Sequence, residues 1–429
     1  MQAILDLISR HKSGEHVGIT SVCSAHPLVI AAVCRHAVQG DLPFVLIEAT
    51  SNQVNQDGGY TGMTPNDFRA FVEHIATVEG LDPSRILLGG DHLGPNAWQH
   101  LPADDAMAKA DVLIDHYVTA GFRKIHLDCS MSCADDAAPL SDDIVAQRAA
   151  RLCAVAEAAH ARIGDESPVY IVGTEVPVPG GAAEELDTLA VTSPEQARAT
   201  IDIHQDIFCR HGLEHAWNRV IALVVQPGVE FDHHKVVDYA PAKATSLSAM
   251  IEDEPQIVFE AHSTDYQTPS ALRHLVRDHF AILKVGPGVT FALREALWAL
   301  DAIERDMLGS AASGFRTKTL AVLKRDPVHW AKYYHSQGGQ LDFDLQYSLS
   351  DRIRYYWLHP EIVAAQSLMF DNLRAHPPAM ALISQYLPRG NAAVRDGLID
   401  ASPESLVIHH VIGVLCDYAD ACTPLRVQN

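Results

Sequence analysis

Short apolar runs alternate with longer amphipathic stretches along the first two thirds of the chain. In the longer stretches the apolar residues recur at helical spacing, whereas the short runs are almost continuously apolar, as in strands covered on both faces. The eight runs span residues 17–24, 44–50, 86–91, 124–130, 169–175, 219–227, 256–263 and 281–288. Eight strand–helix units predict an α/β fold, a (β/α)8 TIM barrel, with an open doubly wound sheet as the alternative.

The pattern changes from about residue 295 onward, where helical periodicity continues without further strand-like runs and aromatic residues become frequent. We therefore predict a barrel domain over residues 1–295 and a helical C-terminal extension, packed on the barrel, over residues 296–429. Aromatic residues are enriched at subunit interfaces, so this part of the chain also favours a homo-oligomer.

Composition narrows the classes of function. The 429 residues carry a formal net charge of -22, which argues against nucleic-acid or anionic-membrane binding because both need a basic surface. We find neither an apolar run near the length of a membrane helix nor a signal-peptide cleavage pattern, so we expect a cytoplasmic protein. The eight cysteines form no paired CxxC ladder and are expected to be reduced.

Polar residues stand where the apolar runs end. In a (β/α)8 barrel the carboxyl ends of the strands form the active site, so these residues are candidates for one site. They are Ser21, Ser24, Glu48, Asp91, His92, Asp128, Glu175, Gln226, Glu260, His262 and Lys284. So many ionisable groups on one rim require a metal ion or a substrate to compensate them.

Two of the candidates predict a metal site. His92 and His262 end strands on opposite sides of the predicted rim, and two imidazoles with an oxygen ligand suit a divalent metal, with zinc favoured. For the third ligand we favour Glu175, with Gln226 and Glu260 as alternatives. Asp91 is placed beside His92 to move a proton. The competing interpretation is that Asp91 caps a helix and that His92 is structural.

The loops after the seventh and eighth runs predict a phosphorylated substrate. Barrels often bind phosphate there, and hydroxyl groups and glycine amides offer suitable donors. The candidates are Ser263, Thr264, Gly286 and Gly288, although Gly-Pro-Gly is also a common turn. Arg352 or Arg354 could reach a phosphate from the extension; the alternative is an ion-paired helix.

Longer motifs resemble a known family. They lie at residues 49–65, 89–98, 124–131, 172–181, 224–231, 259–268, 283–297 and 347–362. Together they resemble the GatZ/KbaZ family, the tagatose-bisphosphate aldolase subunit group, which is similar to class II ketose-bisphosphate aldolases. The resemblance covers nearly the whole chain.

The resemblance implies roles for several residues. It implies that Asp91 is a proton donor, that His92 and His262 are zinc ligands, and that Ser263 and Thr264 bind phosphate. Class II aldolases carry another zinc histidine on the fifth strand, where this chain has Glu175. The third ligand and ordinary aldolase activity therefore stay open.

Three functions compete. The resemblance implies a non-catalytic subunit that supports a separate tagatose-1,6-bisphosphate aldolase, a ketose 4-epimerase, or a tagatose-6-phosphate kinase. A kinase should carry an ATP-binding loop, and the sequence has no GxxxxGK[ST] motif. The hydrogen on C4 of a ketose is not acidic, so inversion at C4 needs either transient oxidation by a nicotinamide or cleavage and re-formation of the C3–C4 bond. No dinucleotide-binding glycine motif follows a strand in this sequence, which leaves cleavage of the bond.

We therefore expect an epimerase that converts tagatose 6-phosphate to fructose 6-phosphate by retro-aldol cleavage and re-addition. The substrate proton would move through Asp91 or Glu175, and Lys284 would offset developing negative charge. The aldolase subunit interpretation requires the same fold and a catalytic aldolase partner.

Overall fold

The computed structural model describes residues 1–174 and 189–424. Its strands are β1 Ile19–Cys23, β2 Val45–Thr50, β3 Ile86–Leu93, β4 Lys124–Leu127, β5 Val169–Gly173, β6 Val220–Val224, β7 Glu230–Phe231, β8 Val236–Val237, β9 Val258–Ala261 and β10 Phe280–Val285. Its helices are α1 Gln2–Lys12, α2 Pro27–Gln39, α3 Pro65–Val78, α4 Ala103–Thr119, α5 Asp142–Ile163, α6 Pro194–Arg210, α7 Glu214–Trp217, α8 Pro241–Glu252, α9 Pro269–Arg277, α10 Pro287–Leu308, α11 Phe315–Arg325, α12 Gly338–Tyr347, α13 Pro360–Ala375, α14 Met380–Tyr386, α15 Pro388–Arg395 and α16 Pro403–Cys422.

Eight parallel strands close into a barrel in the order β1-β2-β3-β4-β5-β6-β9-β10. The predicted (β/α)8 barrel is therefore confirmed, and the open sheet is excluded. Closure pairs the first strand with the last, and the register sets Ser21 beside Lys284. The short strands β7 and β8 form a separate antiparallel pair between β6 and α8.

The amino end of the barrel is filled with apolar side chains. Ile4 and Ile8 of α1 join a buried cluster with strand residues such as Ile19 and Leu46. Because this end is plugged by α1, the polar residues at the carboxyl ends of the strands line the opposite opening. This is the arrangement that positions an active site in a barrel.

Helices of the predicted extension belong to the outer layer of the barrel. The last helix, α16, packs against α2, α9 and α10 and contacts β1. By length and composition α16 is also apolar enough to cross a membrane, whereas we expected no such segment from the sequence. Half of its most apolar 18-residue stretch is buried within the fold. The predicted boundary at residue 295 falls inside α10 and stays a prediction.

Candidate active site

A cavity of about 1140 Å³ opens at the carboxyl ends of the strands. Its lining includes many of the candidates from the strand ends and following loops: Asp91, His92, Asp128, Gln226, His262, Ser263, Lys284 and Gly286. Arg354 and Tyr355 add a lining segment from the C-terminal part of the chain. The barrel and the helices that follow it therefore build one cavity together.

His92 is oriented by a neighbouring strand end. Its Nδ1 lies 2.7 Å from Asp128 Oδ2, and Asp128 Oδ1 in turn accepts hydrogen bonds from the amide and hydroxyl of Ser130. Burial by itself would lower the pKa of His92, but the charges of Asp91 and Asp128 outweigh it and raise that pKa. The same contact overcomes burial at Asp128 and holds the pKa of its carboxyl below the usual range.

Asp91 lies between the amine of Lys284 and the imidazole of His126. Its Oδ2 is 2.9 Å from Lys284 Nζ, and its Oδ1 is 3.1 Å from His126 Nδ1. Burial would raise the pKa of Asp91, but the charges of His92 and Lys284 prevail and hold it well below its ordinary value. The carboxyl of Asp91 is therefore ionised, with Lys284 and His126 as its partners.

Beneath Asp91, two lysines and two glutamates form a buried ion network. Lys124 Nζ lies 2.6 Å from Glu48 Oε1 and 2.7 Å from Glu260 Oε2, in contacts that lack the alignment of hydrogen bonds. Lys284 pairs with Glu48 as well as with Asp91. Gly89, opposite Glu48 in the register, makes room for it, since a Cβ at Gly89 would lie 2.5 Å from Glu48 Oε1.

Three imidazoles meet in the cavity. The ring centroid of His262 is 4.9 Å from that of His92 and 5.4 Å from that of His126, and His262 Nε2 lies 2.9 Å from Glu260 Oε1. Asp91, His126, Glu260 and His262 each offer a ligand atom within 4.8 Å of the others. The strand pairing thus brings together the two predicted histidines and adds a third.

Sequence reasoning missed Lys124 and His126. Both are fully buried in β4, and His126 Nε2 donates a hydrogen bond of 2.9 Å to the carbonyl of Gly173. The available signal was phase: Lys124 and His126 of β4 and the predicted Asp128 just after it occupy alternate positions of the run 124–130, as residues on one face of a strand do.

The donors expected to bind phosphate are engaged within the protein. The amides of Gly286 and Gly288 donate to Asp265 Oδ1, at 2.9 and 2.7 Å. The Ser263 hydroxyl donates to Glu230 Oε2 at 3.1 Å, and that of Thr264 to the carbonyl of Lys284. A carboxylate therefore fills the position at which we expected a phosphate.

The remaining predicted residues have varied surroundings. The Oε1 of Gln226 accepts the amides of Gly228 and Val229, at 2.8 and 3.1 Å. Ser21 is fully buried, and Ser24 accepts a hydrogen bond of 3.3 Å from the amide of His26.

The two predicted arginines differ in position. Arg352 lies 3.3 Å over the ring of Tyr333 and does not line the cavity, whereas Arg354 does. Glu175 lies outside the described residues.

The family model for the D-tagatose-1,6-bisphosphate aldolase subunit GatZ/KbaZ-like proteins matches residues 4–423. The chain belongs to this GatZ/KbaZ-like family. A crystal structure of a probable tagatose 6 phosphate kinase from Sinorhizobium meliloti 1021 is 50% identical, with a TM-score of 0.87, over 94% of this chain and 100% of that one.

Two aldolase structures are more distant. Fructose-bisphosphate aldolase from Campylobacter jejuni is 12% identical, with a TM-score of 0.48, over 87% of this chain and 93% of that one. The YdjI aldolase from Escherichia coli K12 is 10% identical, with a TM-score of 0.42, over 87% and 97%.

The residues of this GatZ/KbaZ-like site fit a divalent cation. Three buried carboxylates, those of Glu48, Asp91 and Glu260, pair with the buried lysines Lys124 and Lys284, and a fourth, that of Asp128, pairs with His92. An imidazole must be neutral to ligate a metal, so with the histidines acting as ligands the four carboxylates and two lysines leave two negative charges, which a divalent cation would compensate. A histidine held by a carboxylate, as His92 is by Asp128, is also the usual form of a metal-ligating imidazole.

Proposed function

We propose that the protein is a metal-dependent ketose-phosphate 4-epimerase that interconverts tagatose 6-phosphate and fructose 6-phosphate by retro-aldol cleavage and re-addition. The observation that carries the proposal is the ionised Asp91, paired with Lys284 at 2.9 Å and adjacent to the Asp128-oriented His92 in an open cavity. Membership of a family related to tagatose-bisphosphate aldolases supports the substrate class.

The chemistry needs no net oxidation. The Asp91 carboxylate accepts the proton of the C4 hydroxyl as the C3–C4 bond breaks; C4 becomes an aldehyde, and the electron pair of that bond passes to C3, giving an enediolate with negative charge on the C2 oxygen. After the aldehyde turns its opposite face to C3, the bond re-forms and Asp91 returns the proton. The product differs from the substrate only in configuration at C4.

His92 and His262 would hold the divalent cation, with Glu260 as the described carboxylate beside His262. When bound, the cation supplies a Lewis acid for the substrate oxygen that becomes negatively charged. Zinc is our favoured ion, since imidazole and carboxylate ligands suit it. Glu175 remains a candidate for the third ligand and for proton transfer.

Lys284 gives the developing charge a second partner. Burial would lower its pKa, but Asp91, Glu48 and Glu260 raise it well above its ordinary value, so the amine stays protonated. A fixed ammonium group in a cavity of low dielectric stabilises an oxyanion without reorganising during the reaction.

A second candidate is a non-catalytic subunit that stabilises a separate class II aldolase. It is favoured by the family's description as an aldolase subunit. A kinase is not proposed, although a 50% identical relative is described as a probable one, because the sequence has no phosphate loop for ATP.

The test is to incubate the purified protein with tagatose 6-phosphate and zinc and to assay fructose 6-phosphate. We expect turnover that His92→Ala and a chelator abolish and that His116→Ala, at an exposed histidine outside the cavity, leaves unchanged. Turnover that survives both treatments would contradict the metal mechanism. Absence of turnover, together with stabilisation of a separate aldolase on mixing, would favour the subunit.

A further inference from the structure

We infer that Asp265 is a specificity-determining residue. Its carboxylate occupies the amides of the loop between β10 and α10, so that a phosphate cannot bind there and the cavity accepts a ketose with one phosphate and not two. The inference rests on the proposed function, because it names the substrate class of the same cavity. It concerns a residue that lines this cavity three positions after His262.

The loop has the form of an anion site, but an internal anion occupies it. Phosphate often binds in barrels after the seventh and eighth strands, at amides that begin a helix. Here Gly286 precedes the 22-residue helix α10, and no side chain of its own caps that helix. Instead, Oδ1 of Asp265, a residue that is 3% exposed, accepts hydrogen bonds from the amides of Gly286 and Gly288, at 2.9 and 2.7 Å.

The approach of Asp265 also accounts for a glycine in this loop. A Cβ at position 288 would lie 3.1 Å from Asp265 Oδ1, which is closer than ordinary van der Waals contact. Gly288 has no unusual positive φ, so close approach is the reason for it. The carboxylate also compensates the partial positive charge at the start of α10, which removes the attraction that a phosphate would otherwise meet.

The two hydroxyls that we expected to bind phosphate, those of Ser263 and Thr264, offer no replacement. The hydroxyl of Ser263 donates to Glu230 Oε2, and that of Thr264 donates to the carbonyl of Lys284. A phosphate dianion at this place would therefore lie next to two buried carboxylates, those of Asp265 and Glu230. Like charges brought together in a desolvated site disfavour binding strongly.

A count of cations leads to the same substrate class. Among the described lining residues the lysines and arginines are Lys284 and Arg354, and Lys284 is paired with Glu48 and Asp91. The guanidinium of Arg354 is fixed by hydrogen bonds to the carbonyls of Ser350 and Asp351 and to the Tyr355 hydroxyl, and we assign the single phosphate of the substrate to it. The sequence of residues 175–188 contains four acidic residues and no lysine or arginine.

The experiment compares binding of tagatose 6-phosphate and tagatose 1,6-bisphosphate by calorimetry. We expect the unaltered protein to prefer the monophosphate. Asp265→Asn removes the charge and Asp265→Ala also empties the position, so the ratio of bisphosphate to monophosphate affinity should rise by about tenfold or more in the alanine variant. Asp232→Asn is the matched control, because Asp232 also accepts two backbone amides, at 2.6 and 2.7 Å, outside the cavity lining.

Two results would overturn the inference. One is equal or tighter binding of the bisphosphate by the unaltered protein, a measurement that does not depend on how the variants fold. The other is an unchanged affinity ratio in an Asp265→Ala protein that melts cooperatively. If the monophosphate binds selectively but is not converted, the epimerase proposal fails while the role of Asp265 stands.

Discussion

Replacement of Asp128 by asparagine tests the orientation of His92. The side chain keeps its size and can still accept from Ser130 through Oδ1, but it presents an amide to His92 Nδ1 in place of a carboxylate 2.7 Å away. Since an amide N–H cannot accept a hydrogen bond, His92 must turn or protonate at Nε2 instead. Either change misdirects the nitrogen that we assign to the metal.

The magnitude follows from the bond that is lost. A hydrogen bond between an ionised carboxylate and an imidazole contributes about 1.5 to 3 kcal/mol, which corresponds to a roughly 10- to 100-fold change in an equilibrium or rate constant. Carboxylates that hold metal-binding histidines give losses of about the same size. We therefore expect Asp128→Asn to weaken zinc affinity and to lower kcat/KM by about 10- to 100-fold.

The assay measures zinc affinity by competition with a chelator and epimerisation of tagatose 6-phosphate in parallel. Asp111→Asn, which weakens a more exposed ion pair with Arg151, serves as the control and should change neither. An Asp128→Asn protein with unaltered zinc affinity and activity would refute the role given to this contact. If activity is lost without any loss of zinc affinity, the role of Asp128 in metal binding is refuted, whereas its role in activity is not.

Three further predictions concern the buried charges. Gly89→Ala should displace Glu48 and cost about 1 to 3 kcal/mol of unfolding free energy by overpacking, measured by urea denaturation, whereas Gly339→Ala, with nothing within 4 Å, should cost little. Lys124→Met should cost about 3 to 5 kcal/mol in the same assay, because it leaves buried carboxylates unpaired; a loss below about 1 kcal/mol would contradict this. Burial raises the pKa of Asp351 to about 7, so its native state holds a proton more tightly than the unfolded chain and unfolding free energy falls as pH rises toward 7. Asp351→Asn, which suits the positive φ of 46° there, should remove about 2 to 3 kcal/mol of that fall between about pH 5 and 8, and thermal melts with an unchanged pH dependence would count against it.

Strand positions were the most predictable part of the fold. The run at 44–50 became β2 Val45–Thr50, and the other seven runs likewise each contain or overlap a barrel strand. Parallel strands are covered on both faces, so an uninterrupted apolar run is a strong signal. The polar ends of these runs therefore placed Asp91, His92 and His262 in one predicted site from the sequence alone.

Residues inside the runs were harder to predict. Lys124 and His126 stand within an apolar strand, and their partners Glu48, Glu260 and Gly173 come from other strands. Gly173 ends the adjacent strand β5, but Glu48 and Glu260 meet Lys124 across the barrel interior from β2 and β9, and no local pattern specifies such long-range pairs. Asp265 was missed for the same reason: the glycine amide that donates to it is 21 residues away in sequence.

The position of α16 has a consequence for how the chain folds. This helix covers β1, and the carbonyl of Cys422 accepts the amide of Gly18 at 3.0 Å. Contacts between residues so far apart in sequence slow folding, because the two distant segments must meet before the contact can form. On the ribosome β1 must therefore wait, with one side exposed, until α16 has been synthesised. A nonsense mutation before α16 would leave that strand permanently uncovered and prone to aggregation.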